Sequence, residues 1–328
     1  MSRRLSSQSD TGAALVLVLG LISVMSTAAV FSFDSLSRLI QNNLIEQQRA
    51  QARHYALAAE QISIKQLRLI ITEKQNFGFI TRSNLNRYDY TLEKATLNVV
   101  ATDISNCFNV NALVSGSNIK GYVAAPGAIR QFAALLQKFG IGETAAMGLS
   151  SALADWQDTD NVALPLGAES THYTDNDIAY RTPNAPVRSI TELRLIRDFT
   201  PELLDALGPL ICAGGIKNDN RLNVSTFEAY QAPVISILLD GHISDEAAMK
   251  FLADKELGRF ASSQSFFKST LFDYRSVGTK LKKPFMAYPN RVRLSIESRY
   301  GDTRLRLQTE VSFDENGTFV IIGRKFGV

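Results

Sequence analysis

Between Phe139 and Tyr180 the chain carries no Lys or Arg but holds Glu143, Asp155, Asp158, Asp160, Glu169, Asp175 and Asp177. Carboxylates crowded in this way repel one another unless a cation offsets them. Asp158, Asp160 and Glu169 stand at positions 1, 3 and 12 of one stretch, the spacing of acidic ligands in an EF-hand loop. Position 5 is Val162, position 6 is Ala163, and Pro165 follows, so the motif itself is absent. Hard oxygen ligands this close together, with the backbone carbonyls of residues 164–166 at hand, nevertheless suit Ca²⁺. Asp155, Asp158, Asp160, Glu169 and Asp175 are the metal ligands this reading selects. A solvated acidic loop fits the same spacing and is the alternative.

Other reactive residues are few. Cys107 and Cys212 make no C-x-x-C, which speaks against a zinc knuckle or a thioredoxin motif. In an exported domain the two can form one disulfide closing a loop of about a hundred residues, worth up to roughly 4–5 kcal/mol in the chain-entropy model. Two buried free thiols are the alternative. His54, His172 and His242 are scattered, and there is no H-x-x-x-H, G-x-S-x-G or phosphate loop. His172, near the acidic run, is the one hint of a metal-activated hydrolase, and no enzyme activity is expected from it.

Phe139-Gly140-Ile141-Gly142-Glu143-Thr144-Ala145 has the form of the hairpin in a helix-hairpin-helix motif. A phosphate backbone needs Lys or Arg nearby, and this hairpin opens the long stretch that lacks them. It reads as a helix junction, and nucleic acid is not an expected partner. A formal net charge of +3 likewise implies no strong polyanion.

The elements that must position these residues begin with the N-terminal stretch. Met1-Ser2-Arg3-Arg4 leads into Asp10-Thr11-Gly12, and no charge interrupts the run from Thr11 to Phe33. That run is long enough to cross a bilayer core of roughly 30 Å as a helix. The basic end comes first, which predicts a cytoplasmic N-terminus and an exported remainder. No Pro occurs before Pro126, so the helix can continue beyond the membrane. A helix from Ala13 to Ile71 would be about 90 Å long. Its second half is amphipathic, with Tyr55, Ala58, Ala59 and Ile62 predicted as one face. Gln75-Asn76-Phe77-Gly78 is the expected stop.

Tyr88 to Val100 then reads as a strand. Cys107-Phe108-Asn109-Val110-Asn111-Ala112-Leu113 is echoed by Arg221-Leu222-Asn223-Val224-Ser225-Thr226, and both runs read as strand-to-helix corners capped by Asn. From Gly127 to Tyr274 the pattern is mostly helical. Ser189 with Glu192 forms a capping box, Thr200-Pro201 starts another helix, and Asp245 to Asp254 forms a further one. The end is β again. Val292, Leu294 and Ile296 alternate with polar residues, as do Leu305 and Leu307, with turns at Gly301-Asp302 and Asn316-Gly317. One face of this meander is apolar, and the exposed stripe of the N-terminal helix is its natural cover. The order helix, strand, helical insert, strand meander predicts an α+β protein.

A short basic leader ending in Gly before an apolar helix resembles the leader of type IV pilins and pseudopilins. The fifth residue after Gly12 is Leu17, where most of that family carry Glu. A carboxylate in the bilayer is costly unless paired, and its absence is a feature of one branch, the large minor pseudopilin K of type II secretion systems. Further segments resemble that branch in order. Cys107 to Leu113 is similar to its C-F-N-L-N-A-L, and Asp155-Trp156-Gln157-Asp158-Thr159-Asp160 to its D-W-x-D-x-D. Ser189 to Leu195 is similar to its S-x-x-E-L-R-L. Gly167-Ala168-Glu169, Leu210-Ile211-Cys212 and Leu222-Asn223-Val224 also match. The likeness runs from leader to C-terminus.

The resemblance implies a pilin-like fold, with a long N-terminal helix packed on an antiparallel sheet and a large α-helical insert domain. It divides the chain into a leader peptide (1–12), a transmembrane and amphipathic helix (13–75), the first part of the pilin-like domain (76–118), the insert (119–284) and the completing β-meander (285–328). It implies cleavage by prepilin peptidase between Gly12 and Ala13, with methylation of the new N-terminus, and calcium binding by the insert. It implies a single-pass protein of the bacterial inner membrane with its bulk in the periplasm. There it would cap the major pseudopilin in a tip complex with minor pseudopilins I and J, acting in pseudopilus initiation and protein secretion. The competing reading is a membrane-anchored periplasmic module that binds a metal or a protein and is unrelated to pili.

Overall fold

The computed structural model describes residues 10–73, 85–92, 94–175, 179–215, 219–253, 260, 262–269 and 277–327. Helix α1, Asp10–Glu73, runs unbroken for 64 residues, about 96 Å at 1.5 Å per residue. Gly12 and Ala13 lie in its first turns; the expected stop at 75–78 lies outside the described residues. Along the apolar run every described large side chain is exposed, Leu17 and Phe33 among them. An all-round apolar helix with no protein cover fits a single-pass membrane anchor.

After α1 come β1 (Leu85–Leu92) and β2 (Ala95–Asp103). The sequence predicted one strand from Tyr88 to Val100. The chain instead reverses between Leu92 and Ala95, which pair with each other. No Gly or Pro marks the turn, so only the pairing reveals it.

The insert follows. It comprises β3 (Phe108–Asn109), the hairpin β4 (Val114–Ser117) and β5 (Gly121–Ala124), α2 (Pro126–Lys138), α3 (Glu143–Asp155) and α4 (Ser170–Thr174). Next are α5 (Pro201–Leu207), β6 (Ile211–Cys212), β7 (Leu222–Asn223), α6 (Ala232–Leu238), α7 (Asp245–Ala253), α8 (Ser263–Phe267), α9 (Thr279–Lys282) and β8 (Phe285–Met286). The glycine hairpin at 139–142 joins α2 to α3. Thr200 caps α5 by accepting from the Leu203 N–H. Ser189 starts a 3-10 helix rather than an α-helix, and Glu192 accepts from the Arg188 N–H rather than from that of Ser189. The echoed corners fold alike. The Asn109 side chain accepts from the Asn111 N–H and that of Asn223 from the Ser225 N–H, each at 3.1 Å and each opening a 3-10 turn. β3 pairs parallel with β6, and β7 with β8.

The insert has its own core, into which α2 sends Phe132, Leu135 and Leu136 and α3 sends Leu149 and Leu153. Phe108, Val110, Leu113 and Phe285 belong to the same core. Residues on both sides of the expected insert bounds, 119 and 284, thus share one core with its helices. The chain leaves β2 and turns at once into the parallel pairing of β3 with β6, which commits it to the insert.

β9 (Arg291–Tyr300), β10 (Thr303–Phe313) and β11 (Phe319–Phe326) close the chain. The sheet order is β1-β2-β9-β10-β11, antiparallel throughout. Gly301 (φ 57°) and Gly317 (φ 73°) take the left-handed backbone that the two reversals need. Ala56, Ala59, Ile64, Leu67 and Ile71 of α1 pack on Val99, Leu294, Ile296, Leu307 and Val311 of the sheet. The cover is the one the sequence predicts, but the buried stripe differs from the predicted face. Ala52 and Ala56 are buried, whereas Ile62 is 53% exposed. Small alanines let the helix lie close, and the stripe continues through a charged residue, Glu60, that an apolar pattern skips. Glu60 is fully buried. Its carboxylate accepts from Arg324 of β11 at 2.8 Å and from the Thr309 hydroxyl of β10.

Candidate metal centre

The end of α3 and the loop after it build the acidic site. Trp156 turns its ring into the insert, edge-on to Tyr173 at 5.3 Å and to Tyr180 at 6.2 Å. The Gln157 side chain donates to the carbonyls of Val110 and Leu153. Thr159 donates through its N–H and its hydroxyl to the Tyr122 carbonyl in β5. These ties fix the backbone on both sides of Asp158. The Asp160 carboxylate accepts from the Val162 N–H at 2.8 Å, a local turn of the kind Asp favours. Glu169 is the N-cap of α4 and accepts from the Ser170 N–H at 3.1 Å.

This geometry brings Asp158, Asp160 and Glu169 together, one carboxylate oxygen from each lying within 4.8 Å of the others. Oxygens bound to one Ca²⁺ at about 2.4 Å can lie no more than about 4.8 Å apart, so the three fit one ion. Asp158 and Glu169 are buried and Asp160 is exposed, which gives the group a closed side and an open one. Asp158 Oδ1 and Glu169 Oε1 are buried with no hydrogen-bond donor. Burial pushes the Asp158 carboxyl up to about 7, and the charges that add to the shift all belong to carboxylates, Asp160, Asp155 and Glu169. Burial also raises Glu169, against the Ser170 N–H that lowers it. Two desolvated acceptors in a field of like charge have the chemistry that a hard cation would offset, with Asp160 on the open side as a third oxygen donor.

The remaining predicted ligands are placed differently. Asp155 is fully buried and turned to the loop backbone, where it accepts from the Leu164 N–H at 3.1 Å and from that of Ala168. Gly167 passes so close that a Cβ there would stand 1.9 Å from Asp155 Oδ2. Asp175, exposed at the C-terminal end of α4, is not in the group of three. Two of the three carbonyls expected to help are engaged. That of Leu164 accepts from the Gly167 N–H, and that of Leu166 from Arg197. Arg197 escaped the sequence reading because nothing ties a lone Arg ahead of α5 to a loop some thirty residues earlier.

Cys107 and Cys212 are joined in a disulfide, with Cα atoms 5.8 Å apart. The bond sits where β3 pairs with β6, and it closes a loop across 105 residues that contains the whole acidic site.

A long, partly bare helix on a five-stranded antiparallel sheet, interrupted by a helical insert, defines a pilin-like subunit with an inserted domain. Known proteins agree. A family model described as "Type II secretion system (T2SS), protein K" matches residues 106–215. The chain is 24% identical to the type II secretion system protein K of Klebsiella pneumoniae over 97% of this chain and 96% of that one. It is 26% identical to that of Pseudomonas aeruginosa over 97% and 93%. A chain in the crystal structure of the GspK-GspI-GspJ complex from the enterotoxigenic Escherichia coli type 2 secretion system aligns with a TM-score of 0.66. It is 20% identical and covers 86% of this chain and 98% of that one. Over nearly its whole length the chain is similar to type II secretion system protein K, and that likeness supports the function of a minor pseudopilin in type II secretion.

Proposed function

We propose that this minor pseudopilin stands at the tip of the pseudopilus, in a complex with minor pseudopilins I and J, and caps the major pseudopilin during initiation. It acts by assembly rather than by catalysis. The supporting observation is the likeness, over 86% of this chain, to a chain solved in a GspK-GspI-GspJ complex. Leu17 is consistent with it, since a subunit with none ahead of it has no neighbouring amine for a carboxylate to pair with. The apolar part of α1 anchors the chain in the inner membrane and both folded modules lie in the periplasm, a compartment that permits the Cys107–Cys212 bond. Prepilin peptidase cuts between Gly12 and Ala13, and Ala13 is then methylated. Asp158, Asp160 and Glu169 hold Ca²⁺ in the insert.

Co-expression with the I and J subunits tests the assembly. The three should co-purify, and the N-terminus of the purified chain should be methylated Ala13. Gly12→Val should leave an uncut precursor that inserts but does not assemble. A chain that retains Met1 in the wild type, or a Gly12→Val variant that assembles normally, contradicts the proposal.

A further inference from the structure

Glu169 closes the candidate cation site from the far end of a loop, and the loop has no secondary structure from Asn161 to Leu164 to hold it. Its last turn is strained. Leu166 sits at φ 64°, a backbone region that L-residues other than Asn and Asp seldom occupy. Such a conformation persists only where its surroundings enforce it. Arg197 provides that enforcement. One guanidinium nitrogen donates to the Gly167 carbonyl at 2.9 Å and another to the Leu166 carbonyl. The backbone N–H of the same residue donates to the Tyr173 hydroxyl at 3.4 Å. Tyr173 is fully buried in α4, the helix that Glu169 caps. Arg197 therefore grips the chain on both sides of Glu169, two residues before it and four after.

We propose that Arg197 is the positioning residue of the cation site, setting its affinity by holding the Leu166–Gly167 turn so that Glu169 meets Asp158 and Asp160. This rests on the calcium reading given above. The planar fork of Arg suits two adjacent carbonyls, which the point charge of Lys cannot bridge in the same way. The Arg197 guanidinium donates to carbonyls of the loop and not to the carboxylates of Asp158, Asp160 or Glu169, so the clamp orders the loop without filling the site. The opposite wall is rigid as well, because Asp155 Oδ2 leaves no room for a side chain at position 167.

The test is calcium titration calorimetry on the full-length protein in detergent, for the wild type, Arg197→Gln and Arg197→Lys, with thermal melts of each in calcium and in EGTA. Loss of an outer partner that orients a metal ligand costs about 10- to 100-fold in affinity. Arg197→Gln should weaken calcium binding by that factor, and its melting temperature should fall further in calcium than in EGTA. Arg197→Lys should lie between Gln and the wild type. A purely structural role would lower the melting temperature equally in both conditions. If both variants keep the wild-type affinity within about twofold, the positioning role is wrong while the calcium site stands. If Arg197→Gln does not fold, the affinity of Arg197→Lys decides. A wild type that binds no calcium overturns both.

Discussion

The two modules bury carboxylates in opposite ways. In the sheet module Glu60 is out of water, and Arg324, 264 residues further along the chain, is brought to it by the last strand. In the insert Asp158 and Glu169 are equally out of water, and the charges acting on them are other acids. The first module contains its own counter-ion and docks its helix with it. In the second the charges acting on the buried acids are carboxylates, which is the ground for the proposed Ca²⁺. A buried charge without a partner is costly wherever it occurs, so the contrast sets a module that pairs its own buried charge against one whose stability, under the proposed calcium binding, is conditional. Trp156, the only tryptophan in the chain, stands in the insert beside the acidic loop and reports on that module alone.

The largest effect is expected from removing the covalent closure. Replacing Cys107 and Cys212 together by Ala should lower the stability of the insert by up to roughly 4–5 kcal/mol. The Trp156 emission melt should move down strongly. Because the disulfide lies within the insert, the sheet module should keep its far-UV circular dichroism transition; a joint collapse would show that the modules are not independent.

Next in size is the internal ion pair. Arg324→Ala leaves Glu60 charged and buried, a situation that costs about 3–5 kcal/mol when a buried pair is broken, and toward the lower figure here because the Arg324 side chain is 39% exposed. Its signature is the reverse of the first. The sheet transition should fall and the Trp156 transition should hardly move. Equal movement of both would erase the distinction drawn between the modules.

A smaller effect separates them by pH. In EGTA the folded Asp158 carboxyl holds its proton up to about pH 7, whereas in the unfolded chain it loses the proton near pH 4. The folded state binds more protons across that window, so insert stability falls as pH rises from about 4 to 7 and levels off above. Calcium needs the ionised form, so its affinity rises over the same range, and the fall should vanish in excess calcium. An insert melt in EGTA that rises between pH 5 and pH 7.5 would show that Asp158 is not held in its protonated form.

The fold was largely legible because its signals are local and repeated. The uncharged run before Phe33 marks the anchor, the alternation at Val292, Leu294 and Ile296 marks a sheet with one wet face, and the Asn109 and Asn223 corners announce their own caps. The Asp158, Asp160, Glu169 spacing also survived, since a loop pinned at Thr159 keeps close neighbours close. What the sequence could not show depends on partners remote along the chain. Glu60 looks like surface until Arg324 arrives. The face at Tyr55, Ala58, Ala59 and Ile62 looks apolar enough, but the sheet selects the alanine stripe from Ala52 instead. Asp155 looks like a ligand until the backbone of Leu164 and Ala168 claims it, and Arg197 acts only through carbonyls that carry no sequence signature. The reversal after Leu92 lacks the Gly or Pro by which turns are recognised.

One measurement bears most directly on the conditional stability of the insert. It is the Trp156 emission melt of the full-length protein in detergent, in calcium and in EGTA, for the wild type and for Asp158→Asn combined with Glu169→Gln. Calcium at a hundredfold excess over Kd should stabilise the wild type by about 2.7 kcal/mol, with Mg²⁺ doing less because it demands stricter octahedral geometry. The double variant should show no calcium shift. In EGTA above pH 7 it should be as stable as the wild type or slightly more so, because two buried, mutually repelling carboxylates are gone. A wild-type midpoint that ignores calcium, or a double variant less stable than the wild type in EGTA, would contradict the account and make the acidic loop a solvated surface with no cation to hold.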